Sequence, residues 1–249
     1  MYTIAHIENA YTEKFGVPRQ SGLVSDIMSR IVFEPEFRNP DALRGLGDFS
    51  HIWLIWEFSA AERRNSNIAK NFEDKNNNFS ACDWRPTVRP PRLGGNVRLG
   101  VFATRSPFRP NPIGLSCVEI DHIEMKTADG PVIYVRGADL MNGTPIYDIK
   151  PYLPYADCRP QATGGFTDAA EKRTLHVELP EEVAETLGKE TAEELTAVLR
   201  QDPRPAYQDD PDRVYTFSFA GHEISFRVED GRAIDVRATT QTIYVGGET

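Results

Sequence analysis

The 249 residues are 40% hydrophobic and 26% charged, with a formal net charge of −9, the profile of a soluble globular protein able to bury a real core. No apolar run reaches the roughly 18 residues that a membrane-spanning helix needs, and three widely spaced cysteines, Cys82, Cys117 and Cys158, exclude a disulfide framework. With no Cys-x-x-Cys spacing and five scattered histidines, no metal site is expected.

Residues 2–8 (YTIAHIE) alternate loosely and read as a first strand rather than a signal peptide. Pro18 to Gly22 is a turn or loop, and residues 23–33 hold a second strand. Residues 51–58 (HIWLIWEF) form a continuous apolar and aromatic run, which predicts a strand buried on both faces, with Trp53 and Trp56 in the core. Residues 61–82 are polar, contain six asparagines and read as a surface insertion.

Residues 85–112 carry six prolines, and residues 85–109 carry six arginines and no acid. Proline neither continues a helix nor donates to a sheet, so this stretch is mostly loop, with one short strand at 98–103. The charge count hides this basic stripe: residues 1–160 hold 19 acidic and 19 basic side chains, and residues 161–249 hold 18 and 9, the whole of the −9.

A hairpin over 115–125 and 132–136 turns at Asp129-Gly130. Asn142-Gly143 is a tight turn, and residues 146–152 form the next strand. So many short strands and turns, with no helix of normal length before residue 160, predict a closed or nearly closed β-barrel for residues 1–160. After the linker 160–165 the character changes. A strand at 175–179, helices at 181–187 and 192–200, and strands at 215–219, 222–228 and 233–236 predict a small α+β domain over 161–249. Gly188 caps the first helix, and Thr191 with Glu194 makes a capping box for the second.

No G-x-G-x-x-G, G-x-x-x-x-G-K-[ST] or G-x-S-x-G motif occurs, which argues against a Rossmann dinucleotide site, a phosphate loop and a hydrolase elbow. The distinctive stretch is TRSPFRPNPIGLS, residues 104–116. Its prolines at 107, 110 and 112 restrict the backbone, so Arg105 and Arg109 lose little freedom on binding, and their forks suit phosphate or carboxylate. A rigid loop whose arginines pair with the protein's own acids is the competing reading of this segment.

This segment, with KFGVPRQSGL (14–23), RGLGDFSHIWLIWEF (44–58), WRPTVRPPRLGGNVRLGVFATRSPFRPNPIGLS (84–116), NGTPIYDIKPYLPYAD (142–157) and QDPRPAYQ (201–208), resembles the TrmO family, also called TsaA-like or YaeB-like. These are S-adenosylmethionine-dependent tRNA methyltransferases built on a β-barrel rather than a Rossmann sheet. The resemblance spans the chain and is strongest over 1–160; the Asn-rich stretch 61–82 departs from it. It implies methylation of N6 of an N6-threonylcarbamoyladenosine beside the anticodon, in a cytoplasmic homodimer whose sites lie near the subunit interface. It implies cofactor contacts from Gln20, Ser21 and Gly22, from Ser59 and Ala60, from Arg105 and Leu115, and from Asp139, Leu140, Met141 and Asn142.

The acceptor nitrogen is acylated and has a proton to lose, so a nearby base helps. Asp148, Lys150 and Tyr147 are the polar candidates. A regular strand puts Asp148 and Lys150 on one side and Tyr147 on the other, and an Asp148–Lys150 structural ion pair is the competing reading. Arg85, Arg89, Arg92 and Arg109 are the candidate tRNA contacts. A tRNA-binding module without catalysis is the main alternative and predicts no cofactor affinity. A hydrolase or acyltransferase using Ser106 or Ser116 with His51 is another; no triad spacing supports it.

Overall fold

The structure is a computed structural model, and it describes residues 1–58, 85–90, 93, 97–168, 173–204, 208 and 210–240. Ser59, Ala60, Arg92, Cys82 and the Asn-rich stretch lie outside the described residues.

Six strands close into an antiparallel barrel: β1 (Ala5–Glu8), β2 (Met28–Phe33), β3 (His51–Glu57), and, after the short pair β4 (Thr87–Val88) and β5 (Leu99–Gly100), β6 (Ile113–Thr127), β7 (Gly130–Arg136) and β8 (Pro145–Pro151). Their order around the barrel is β1-β2-β7-β6-β3-β8, with β8 returning to β1 at Ala5–Ile146. Alternate residues point inward, so Ile7, Ile31, Ile52, Leu54, Ile133 and Ile146 fill the interior with no exposed surface.

Two expectations need correction here. The aromatic strand β3 is buried on one face only: Ile52, Leu54 and Trp56 are core, whereas Trp53 and Ile55 are half-buried on the outer wall. A barrel wall has an outside, and bulky outward residues make a continuous apolar run without two buried faces. The expected strand at 98–103 is β5 followed by a 3-10 turn at Val101–Ala103.

The strand β6 is long and bent. Its first part, Ile113 to Glu119, pairs with β3, and the part from Glu119 onward pairs with β7. Along Gly114 to Cys117 the edge away from β3 therefore faces a loop instead of β7. The loop is Gln20–Gly22: the Cys117 N–H donates to Ser21 Oγ at 3.2 Å, and the Gly22 N–H donates to the Gly137 carbonyl at 2.8 Å. This seam between β6 and the exit of β7 holds the candidate site.

The C-terminal unit is a four-stranded sheet made of β9 (His176–Val177), β10 (Tyr215–Phe219), β11 (His222–Glu229) and β12 (Arg232–Thr240), in the order β10-β11-β12-β9. Helices Glu181–Leu187 and Lys189–Arg200 pack on it. The second helix starts at Lys189, directly after Gly188, so Thr191 lies inside it and the expected capping box does not form. One glycine at φ +77° ends one helix and begins the next. The core of this unit also takes in Tyr11, Val24 and Ile27 from the start of the chain.

Candidate active site at the barrel seam

The inward positions of β6 at the seam read Gly114, Ser116, Val118. Gly114 has no side chain because the Trp56 indole fills that space; a Cβ there would lie 2.2 Å from Trp56 Cε2. The seated indole donates from Nε1 to Ser116 Oγ at 2.9 Å. Ser116 in turn donates to Asp139 Oδ1 at 2.5 Å. Asp139 follows β7, and the Ser21 backbone also donates to it. Burial pushes the Asp139 carboxyl above the usual carboxylate range; the bonds from Ser116 and the nearby Arg105 guanidinium work against that.

Arg105, exposed on the Pro-framed loop, reaches over the seam and donates to Gln20 Oε1. Downstream of Asp139, Leu140 is buried, and its carbonyl accepts from Asn9 Nδ2 at 2.9 Å. Asn142 Oδ1 accepts from the Asn9 N–H at 3.0 Å, and the Asn142 N–H donates to the Tyr11 carbonyl at 2.7 Å. Met141, half-buried, gives its carbonyl to the Thr144 N–H at 3.1 Å. Among the sequence-derived cofactor residues, Gln20, Ser21, Arg105 and Asp139 are therefore brought together, Gly22 ties the loop to Gly137, and Leu140 and Asn142 are tied to Asn9 and Tyr11 after β1. Leu115 sits one residue from Ser116 on the opposite, outer face and is 51% exposed.

Tyr147, Asp148 and Lys150 lie on that outer face, two strands along. Leu115, Ile55 and Asp148 stand side by side across β6, β3 and β8, and Cys117, Trp53 and Lys150 form the next row. Strands are about 4.8 Å apart, so roughly 10 Å separates the Leu115 and Asp148 backbones. The expected alternation fails at Tyr147. Ile55 pairs with Asp148 and Trp56 with Ile146, leaving Tyr147 as an extra residue. The resulting bulge lets Tyr147 and Asp148 line one surface depression with Ile4, Phe37 and Ile55. Asp148 and Lys150 make an ion pair of 2.9 Å, with 46% and 62% of their side-chain surfaces exposed.

The arginines of the basic stripe differ in their contacts. Arg85 and Arg89 are exposed, and Arg85 lies over the Phe108 ring at 5.5 Å. Arg98, also exposed, donates to Thr87 Oγ1 at 3.2 Å. Arg109 turns back on its own loop, donating to the Thr104 and Ser106 carbonyls at 3.0 and 3.4 Å and lying over Phe102. No hydrogen bond joins His51 to Ser106 or Ser116 among the described residues; His51 pairs with Ser50.

Reasoning from the sequence misses Ser116, Trp56 and Asn9 as members of this cluster. The available signal is a polar residue at an inward position of an alternating strand, which needs a buried partner; Asp139 is that partner.

Residues 6–158 match the family profile described as tRNA-methyltransferase O N-terminal domain, and residues 172–240 match the TrmO C-terminal domain. A curated relative from Escherichia coli K12, named tRNA (adenine(37)-N6)-methyltransferase, is 39% identical over 230 residues, covering 90% of each chain. A relative of the same name from Eikenella corrodens is 43% identical over 187 residues, 75% of this chain and 94% of that one. A crystal structure of TrmO from P. aeruginosa superposes with a TM-score of 0.68 at 30% identity, covering 95% of both chains. The chain belongs to the tRNA-methyltransferase O family.

Proposed function

We propose that the chain transfers a methyl group from S-adenosylmethionine to N6 of an N6-threonylcarbamoyladenosine next to the anticodon of tRNA. The observation that carries this reading is the convergence of Gln20, Ser21, Arg105 and Asp139 on the seam. These groups fit the donor: the Arg105 fork suits a carboxylate, the Asp139 carboxyl suits an ammonium or a ribose diol, and exposed Leu115 suits the adenine face. When bound, S-adenosylmethionine supplies an activated methyl on a sulfonium.

The chain's own task is alignment and proton removal. The acceptor N6 would give up its proton on taking the methyl group, so the chain must supply a proton acceptor. Asp148 is the proposed acceptor of that proton, on the same outer face as Leu115. Tyr147 shares its depression and is proposed to hold the adenine, and Lys150 pairs with Asp148 at 2.9 Å. Arg85, Arg89, Arg92 and Arg109 are proposed to carry the tRNA phosphates. The acceptor's own carboxylate calls for a further cation at the site, which supports selection for the threonylcarbamoyl form. The protein works as a homodimer in the cytoplasm on this reading.

Calorimetry tests it. Wild type binds S-adenosylmethionine or its demethylated product, and Arg105→Ala weakens that binding. No detectable heat at millimolar cofactor favours a tRNA-binding module without catalysis.

A further inference from the structure

The segment 10–27 leaves the barrel after β1 and rejoins it at β2, and both of its legs are built into the C-terminal unit. On the outgoing leg, the Ala220 N–H donates to the Ala10 carbonyl at 3.1 Å, and Tyr11, 2% exposed, bridges to Phe219. Thr12 Oγ1 donates to the Ser218 carbonyl at 3.1 Å, and the Ser218 N–H donates to Glu13 Oε1 at 2.6 Å. Phe15 stacks on Tyr215 with centroids 6.2 Å apart. Gly16, at φ +94°, passes so close to Phe217 that a Cβ would lie 2.8 Å from its ring. On the return leg Val24 and Ile27 are 3% and 2% exposed in the same core, and Glu194 accepts from the Met28 backbone.

Between the legs lies Arg19. Its guanidinium donates to the Arg204 carbonyl at 2.6 Å and to the Asp202 carbonyl at 3.5 Å. Those carbonyls are held in place, because Arg204 grips the Asp202 carboxylate through two bonds of 2.8 and 2.9 Å. Both side chains are nearly buried, 7% and 8% exposed. The next three residues are Gln20, Ser21 and Gly22, whose contacts with Arg105, Cys117 and Gly137 bring the tip onto the barrel.

We propose that the C-terminal unit is the frame that presents the loop Gln20–Gly22 to the barrel seam, and that Arg19 is the positioning residue linking the loop to that frame through the Asp202–Arg204 pair. The consequence for binding rests on reading Gln20–Gly22 as a cofactor loop. A loop fixed before the ligand arrives loses little freedom when it binds; a loose one must be ordered first, and affinity falls.

The test compares full-length Arg19→Ala, Arg19→Lys and Val198→Ala with wild type. Val198 is 1% exposed in the same C-terminal core and serves to lower stability without touching Arg19. Amide hydrogen exchange at Gly22 and Cys117 is read without cofactor, and S-adenosylmethionine affinity is read by calorimetry. Arg19→Ala speeds exchange at both amides and raises the cofactor Kd about tenfold, the scale of one charge-assisted hydrogen bond. Arg19→Lys restores part of both. Val198→Ala lowers the melting temperature and changes neither. Unchanged exchange in Arg19→Ala, or an equal rise in Val198→Ala, overturns the proposal. Faster exchange with unchanged Kd upholds the frame and overturns the cofactor reading of the loop.

Discussion

Trp56 and Gly114 share one volume: the indole occupies the space a side chain at 114 would take, 2.2 Å from its Cβ position. The contact aims the indole N–H at Ser116, and Ser116 at Asp139. Gly114→Ala therefore displaces a ring that is 6% exposed, at a cost of about 1–3 kcal/mol. For a chain of this size the melting temperature falls by about 2–4 °C per kcal/mol, and cofactor affinity falls with it. Gly100→Ala, where nothing lies within 4 Å, stays within about 0.5 kcal/mol of wild type. Thermal melts of the two variants check the difference.

Asp139 gives a pH signature. Burial holds its folded-state pKa above the unfolded value, so the folded protein binds the proton more tightly. Its contribution to stability is full below the ordinary carboxylate range and is lost as pH rises through the raised folded value. Asp139→Asn removes that loss while still accepting from Ser116. The variant should melt at or above wild type at neutral pH, with the gap closing below about pH 4. Its cofactor affinity should drop about tenfold, since a charged partner is gone. Melts across pH alongside calorimetry separate the two effects.

The exposed Asp148–Lys150 pair contributes at most about 1 kcal/mol to stability. Asp148→Asn should leave the melting temperature within a few degrees of wild type and the cofactor Kd unchanged, yet lower turnover. A lower melting point with wild-type turnover identifies a structural pair instead.

The barrel was legible in the sequence because alternation, Gly and Pro mark short strands locally. Other features are set by partners far away in the chain. Tyr147 reads as the far face of a regular strand until β3 forces a bulge opposite Ile55. Segment 10–27 reads as part of the first domain, yet Tyr11, Val24 and Ile27 complete the second core. Arg109 reads as one more phosphate contact of the stripe, whereas its guanidinium turns back to the Thr104 and Ser106 carbonyls of its own loop.

That difference among the arginines is measurable. Each phosphate contact adds about −0.9 to the slope of log K against log salt. Arg85→Ala and Arg89→Ala should each flatten the slope for substrate tRNA by nearly one unit. Arg109→Ala should flatten it less and lower the melting temperature, and Arg105→Ala should leave it unchanged. Identical slopes in all four place the tRNA surface elsewhere.

The central claim is methyl transfer to a modified adenosine. Purified protein and methyl-labelled S-adenosylmethionine are incubated with tRNA from cells lacking this protein, and the nucleosides are read by mass spectrometry. The account predicts label on N6 of threonylcarbamoyladenosine beside the anticodon, strongly reduced with Arg105→Ala and absent from tRNA lacking the threonylcarbamoyl group. Equal labelling of unmodified tRNA, or no label in any nucleoside, contradicts it.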